Sequence, residues 1–315
     1  VKLEGDAEAK PAAAATVSLQ AAPGEWPFRA LAELLSLELF SPTWESRHGA
    51  ALGLRELFRT QGAGGGRRVG VSHASNAARH AVWAEDLAVR LLCVFALDRL
   101  GDFVFDQVVA PVRETASQTL AQLLPHMTGA LVRQTHAVLL EMIRQDTIKA
   151  PDAQQGARRA EYVWEVRHAG LLGLKYEVAV RHDLLRQRAP EERDAALGSD
   201  MLTDVVDVAM LGLRDADDDV RAVAAATLLP VTEELVEQHL DRIPPLLDQL
   251  WSCISDMKDD LSSSTGGVMD LLAKLFGYAR VMEVMQTRTG EHALVALIPR
   301  LYTFFRHTIT SVRLS

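Results

Sequence analysis

The sequence predicts an all-α chain of helix pairs stacked side by side, and three observations predict it. The stretch WESRHGAALGLR, from Trp44 to Arg55, returns as WEVRHAGLLGLK from Trp164 to Lys175, with Trp, Glu, Arg, His, Leu, Gly and Leu in the same order and a basic last position. Weaker copies align on an arginine step at Arg47, Arg113, Arg167, Arg221 and Arg313, with room for a degenerate copy near Leu261 to Phe276. The composition is 48% hydrophobic but only 6% aromatic over 315 residues. That suits a ribbon-shaped core in which each repeat touches only its neighbours. Repeats of about 40 to 47 residues, each a helix, a turn and a second helix, describe HEAT arrays. The expected fold is therefore an α-solenoid of about six HEAT-type pairs, the last truncated, and the longer steps between copies require insertions.

In chain order, Val1 to Gly24 is Ala-rich with Pro and scattered charge and lacks an apolar period, the pattern of a disordered or loosely attached tail. The array then spans 25–315, with insertions near 60–82, 149–162 and 186–199. Trp26 to Phe40 has leucines at helical spacing and stops at Ser41-Pro42. The first Trp-Glu-Ser-Arg-His unit forms the second helix of that pair. Thr60 to Gly70 reads as a flexible Gly-rich loop; no Lys-Ser/Thr follows its glycines and no apolar strand precedes them, so it does not fit a phosphate loop. Trp83 to Leu100 is apolar on most of its circumference, as in a helix sandwiched between neighbours. Gly101-Asp102 ends it, and the next helix is expected from about Val108, with Pro111 in its first turn.

Leu123 to Thr147 predicts another first helix, Lys149 to Glu161 a polar insertion, and the second Trp-Glu-Val-Arg-His unit its partner helix. After a charged linker from Arg186 to Ser199, Met201 to Leu213 reads as an amphipathic helix. Asp215 to Asp219 leads into a helix from Val220, where carboxylates cap free N–H groups and oppose the positive helix end. Ile243 to Ser255 and Leu261 to Phe276 make one more pair, and Ala293 to His307 opens the last. The chain stops at Ser315 a few residues into that pair's second helix, as a piece of a longer protein would.

Several function classes lack support. No apolar run approaches the about 18 residues of a membrane span, and no basic region with an apolar core marks a secretory signal. Cys93 and Cys253 have no metal or redox spacing and read as buried apolar residues in a reducing compartment. A net charge of −9 argues against non-specific attraction to nucleic acid and favours a basic protein surface as partner. No Ser/His/Asp or Cys/His arrangement supports catalysis. His48 and His168 occur once per repeat with no chelating residue three or four positions on, so packing is the better reading and no metal is expected.

The repeated motif is accounted for by packing. Gly53 and Gly173 occupy equivalent helical positions, where Gly costs about 1 kcal/mol relative to Ala; a close helix crossing explains both. Arg47, Arg113, Arg167 and Arg221 fall early in each second helix, where a guanidinium can fork onto a carboxylate of the next repeat and fix its orientation; the alternative is that they face a ligand. Asp102, Asp215, Asp217, Asp218, Asp219, Asp256, Asp259 and Asp260 all fall at first-to-second-helix turns, which line up along one edge of an array. They are either caps and solvated loop residues or an acidic ridge for a basic partner.

The stretches WPFRALAELLSLELFSPTWESRHGAALGLREL, LAVRLLCVFALDRLGDFVFDQVVAPVRETASQTL, WEVRHAGLLGLKY and DADDDVRAVAAATLLPV resemble successive HEAT repeats of the TATA-binding-protein-associated remodeller ATPase, the Mot-one family. The resemblance runs from about Trp26 to the end, with gaps at the insertions. It implies a nuclear transcription regulator whose HEAT array grips the TATA-binding protein while a C-terminal motor uses ATP and Mg to remove that protein from promoter DNA. This piece would be the arm, without cofactor or ATPase motifs, touching promoter DNA only indirectly or through the motor. In the family the grip falls on repeat turns and the partner's helical face is basic, which suits the acidic edge. The insertion Lys149 to Glu161 departs from the family pattern, and the family segment covering the partner's DNA-binding face is not located here. The competing reading is a scaffold or transport adaptor that binds another protein or peptide.

Overall fold

Helix pairs are the unit of the computed structural model, which describes residues 21–98, 102–104, 107–109, 111–145, 162–185, 201–255 and 264–306. The first helices of successive pairs are α1 (Arg29–Glu38), α3 (His73–Leu97), α5 (Gly129–Arg144), α7 (Met201–Gly212) and α10 (Ile243–Ser255). Their partners are α2 (Trp44–Gln61), α4 (Pro111–Leu123), α6 (Trp164–Val180), α8 (Asp218–Leu228) and α11 (Ser264–Phe276). The short α9 (Thr232–Gln238) precedes α10, and α12 (Ala279–Thr287) and α13 (Leu294–Leu297) follow α11. The second helices stack in the order α2, α4, α6, α8, α11, with α3, α5 and α7 packed in a parallel row. This is the expected all-α solenoid.

Local chemistry sets the helix ends. Ser72 accepts from Ser75 N and Thr128 from Leu131 N, both at 3.2 Å, so each satisfies an amide the helix itself cannot pair. Pro111 is the first residue of α4, where its missing N–H costs nothing. The core is a ribbon. One cluster runs from Leu39 to Ala169, the next from Leu140 to Phe304, and α5 and α6 contribute to both.

Several expectations are corrected. Thr60 to Gly70 is not a loose loop: α2 runs to Gln61, a 3-10 turn covers Gly62–Gly64, and α3 begins at His73, well before Trp83. A Cβ at Gly62 would lie 2.3 Å from the His126 ring, and one at Gly65 would lie 2.5 Å from Trp83. The glycines are there so that an imidazole and an indole can lie against bare backbone. Val108 belongs to a hairpin of β1 (Asp102–Val104) and β2 (Gln107–Val109), with Asp102 opposite Val109, and the helix starts after it. Cys93 is exposed, since α3 turns that side of its surface to solvent, whereas Cys253 is buried as expected. The chain from 293 is mostly 3-10, Ile298–Arg306, and α9 and α12 were not foreseen. The expected tail (1–20 of it) and the insertions at 149–161 and 186–199 lie outside the described residues; Gly24 is tied down by accepting from Val69 N at 2.7 Å.

Candidate functional site

The turns between first and second helices follow one another along one edge of the array, and a ladder of arginines joins them. Arg47 of α2 donates to the carbonyls of its own turn, Ser41 and Pro42, at 3.1 Å each, and to Asp98 of the next pair at 2.8 Å. Arg113 of α4 donates to the Glu165 carbonyl at 3.2 Å and lies 5.1 Å from the centre of the Trp164 ring, both in the third pair. Arg167 of α6 donates to Ile143 O and to Asp215 of the fourth pair, and its guanidinium covers Tyr162 at 4.6 Å. Arginine thus reaches a carboxylate of the next pair at two rungs, Arg47–Asp98 and Arg167–Asp215, and at Arg113 a backbone carbonyl and an indole take the carboxylate's place. At the fourth, Arg221 stays in its own turn: it donates to Asp215 O and Ala216 O and pairs with Asp218. Arg113 is 1% exposed, and burial lowers its pKa.

Trp44 and Trp164 are structurally equivalent. Each is the first residue of its helix, and each ring centroid lies 6.2 Å from that of the histidine four residues on. The histidines differ in one respect. His48 Nδ1 is 2.9 Å from Thr115 Oγ1, whereas the residue at the same offset from the next repeat's Arg221 is Val223, and His168 Nδ1 is buried without a partner. His168 is depressed to about 3, chiefly by burial and then by Arg113 and Lys175. Both histidines pack, and among the described residues no cluster of His, Cys, Asp and Glu could hold a metal.

The glycines and two unforeseen threonines share one position. Gly53, Thr119, Gly173 and Thr227 each fall at the same offset from their repeat's arginine. Thr119 Oγ1 reaches Ala51 O at 2.8 Å and Thr227 Oγ1 reaches Leu171 O at 3.3 Å, each binding the preceding second helix. At Gly53 a Cβ would meet Leu35 of α1 at 3.0 Å, and at Gly173 Leu139 of α5 at 2.7 Å and Phe95 at 2.9 Å. The close approach is thus to a side chain of the first-helix row. Gly49 faces open space and stands where the second copy has Ala169. Gly49→Ala should stabilise by about 0.5–1 kcal/mol through helix propensity. Gly173→Ala should instead destabilise by about 1 kcal/mol, because overpacking outweighs that gain. Urea midpoints of the two variants will have opposite signs.

One aspartate expected on the acidic edge is not available to a partner. Asp215 is a correction: it is buried, and its carboxylate accepts from Arg167, from the Tyr162 hydroxyl and from Asp217 N, so it belongs to the ladder and cannot face a partner. Burial and the Asp215 hydrogen bond raise the Tyr162 pKa. Asp217 is the cap of α8, accepting from Asp219 N and Val220 N at 3.0 and 3.1 Å, and burial lifts its carboxyl above the ordinary range. Asp218 is exposed beside Arg221, and Asp219 is half-buried. Asp102 lies in β1, and Asp256, Asp259 and Asp260 lie outside the described residues. Asp98 was missed because the hairpin between it and Arg113 hides its equivalence to Asp215, which sits just before Arg221.

Stacked helix pairs joined turn to turn by arginines define a HEAT-type α-solenoid. No family model matches the chain. It is 46% identical over 291 residues to TATA-binding protein-associated factor mot1 of Aspergillus fumigatus, covering 91% of this chain and 14% of that protein. It is 43% identical over 289 residues to TATA-binding protein-associated factor 172 of Homo sapiens, covering 92% and 14%. The chain belongs to this Mot1 family of TATA-binding protein-associated factors, and it spans only 14% of the length of those relatives. Its fold is similar to the crystal structure of the Mot1 N-terminal domain in complex with TBP, with a TM-score of 0.54 and 18% identity, over 99% of this chain and 31% of that one. Among the described residues no helix is long and apolar enough to cross a membrane.

Proposed function

We propose that this chain is a non-catalytic arm that grips the TATA-binding protein within a nuclear, ATP-dependent regulator that removes that protein from promoter DNA. The arm uses no cofactor of its own, and ATP and Mg act in a motor elsewhere in the full-length protein. The observation that carries the reading is the identity of 41–46% to proteins named for association with the TATA-binding protein, sustained across about nine-tenths of the chain. The ladder supports it physically. Arg47, Arg113 and Arg167 hold the turns of the first four pairs in register, so a row of loops meets a partner with little ordering cost.

Asp218 and Asp219, at the start of α8, lie outside the buried ladder and cap, Asp218 exposed beside Arg221 and Asp219 half-buried. The double variant Asp218→Lys, Asp219→Lys, with the Asp217 cap intact, is expected to bind the TATA-binding protein about tenfold more weakly at low salt, roughly 1.4 kcal/mol, and with a shallower salt dependence. Co-elution at low and moderate salt, with helix content checked by circular dichroism, measures this. Unchanged affinity and salt slope would remove these aspartates from the interface. Failure of the unaltered chain to co-elute would overturn the functional assignment itself.

A further inference from the structure

The first-helix row has a gap. α3 packs on α5 and α5 on α7, but α1 and α3 make little contact. Between them lies a groove of about 790 Å³ running along both helices, from Glu25 and Arg79 at one end to Leu37 and Arg90 at the other. Its lining includes Trp26, Ala32, Trp83 and Leu87, with the two indoles edge to face at 5.5 Å. Leu37 and Val82 stand on its walls at 64% and 66% exposure. The apolar face continues along α3 through Val89, Cys93 and Leu97, all exposed. Single exposed aliphatics are ordinary, but a stripe at helical spacing beside an open groove marks an interaction surface.

The charges around the groove are uneven. Arg29 is held by Glu25 and Glu33 at 2.6 and 2.8 Å, and Arg90 by Asp86 at 2.8 Å. At the Trp26 end, Arg67 and Arg79 line the groove, and among the described residues neither has a carboxylate within ion-pair distance. Arg79 donates only to the Gly66 carbonyl, and the buried Nε of Arg67 has no acceptor. In a chain of net charge −9 this is a local cationic end to an apolar trough. It lies at the turn between α2 and α3, on the edge opposite the arginine ladder.

We propose that the α1–α3 groove receives an amphipathic helix from a partner protein, its apolar stripe seated on Trp26, Trp83 and Leu87 and its acidic end against Arg67 and Arg79. Helix-in-groove recognition needs an apolar floor the length of a few turns and a charge that fixes direction. The ten residues of α1 supply about 15 Å of floor. A basic partner, as proposed for the acidic edge, is repelled here, so the two surfaces serve different proteins.

The test uses two labelled 14-residue helical peptides with the same leucine stripe, one carrying glutamates and the other lysines on the polar face of one end, titrated into the full chain by fluorescence anisotropy. The glutamate peptide is expected to saturate and to bind at least tenfold tighter than the lysine peptide. Leu37→Asp with Val82→Asp should weaken it at least tenfold, and Arg67→Glu with Arg79→Glu should reverse the preference. All four positions are partly or fully exposed, so the fold survives, and co-elution with the TATA-binding protein should be unchanged. Absence of saturable binding, or indifference to the Leu37 and Val82 changes, overturns the proposal. So does binding that appears only after residues 1–20 are deleted, which would make the chain's own first segment the occupant.

Discussion

Asp215→Ala is expected to destabilise the array by about 3–5 kcal/mol, the range for a buried ion pair that loses one partner. The Asp215 side chain is 1% exposed and satisfies three donors at once: the Arg167 guanidinium, the Tyr162 hydroxyl and the Asp217 amide. Its removal strands a cation that is itself only 13% exposed, in a medium where an unpaired charge is costly. It also frees Tyr162 and loosens the turn that presents the α8 cap. Urea unfolding reads the loss. A double variant with Arg167→Met should recover part of it, since neutral apolar replacements of both partners are tolerated better than an orphaned charge. An effect below about 1 kcal/mol would show that Asp215 does not join the third and fourth pairs.

Acidification should destabilise the fold through His168, by up to about 1.4 kcal/mol for each pH unit. The ring is buried beside Trp164 and near the Arg113 charge, and the folded state holds it near 3, against about 6.5 unfolded. A depressed folded pKa means that full stability is present above about 6.5. As pH falls below that, the unfolded chain takes up a proton the folded chain refuses, and stability declines until the folded ring also protonates near 3. Burial lowers His126 in the same direction. His168→Leu removes one such group, so its stability between pH 6 and 4 should fall less steeply by about one proton's worth than that of the unaltered chain. Parallel slopes would show that His168 is reached by solvent in the fold.

His136 and Glu177 form a buried pair at 2.7 Å across α5 and α6 that the sequence did not reveal. Neither residue stands out from its neighbours, because the chain carries no local sign that a helix surface will be covered on all sides. Asp98 was illegible for a related reason: its partner Arg47 is in the preceding pair, and the hairpin after it obscures the register. The glycines of Thr60 to Gly70 suggested freedom, and only the positions of Trp26, Trp83 and His126 show that they provide room for rings.

The sequence by itself determined the main helices of the five pairs, their pairing and the repeated Trp-Glu-x-Arg-His unit, but not α9, α12 or the hairpin before α4. Helical periodicity, caps and breakers act over a few residues, and a duplicated motif is visible without coordinates. It also carried the family resemblance that the relatives bear out. Only the tertiary structure decided which arginine meets which carboxylate, which aspartates remain outside the buried ladder, and why the motif is strongest in alternate repeats: Gly53 and Gly173 receive a leucine where Thr119 and Thr227 bind a carbonyl. Those choices are made between repeats, about fifty residues apart in sequence, and packing across that distance leaves no local periodicity to read.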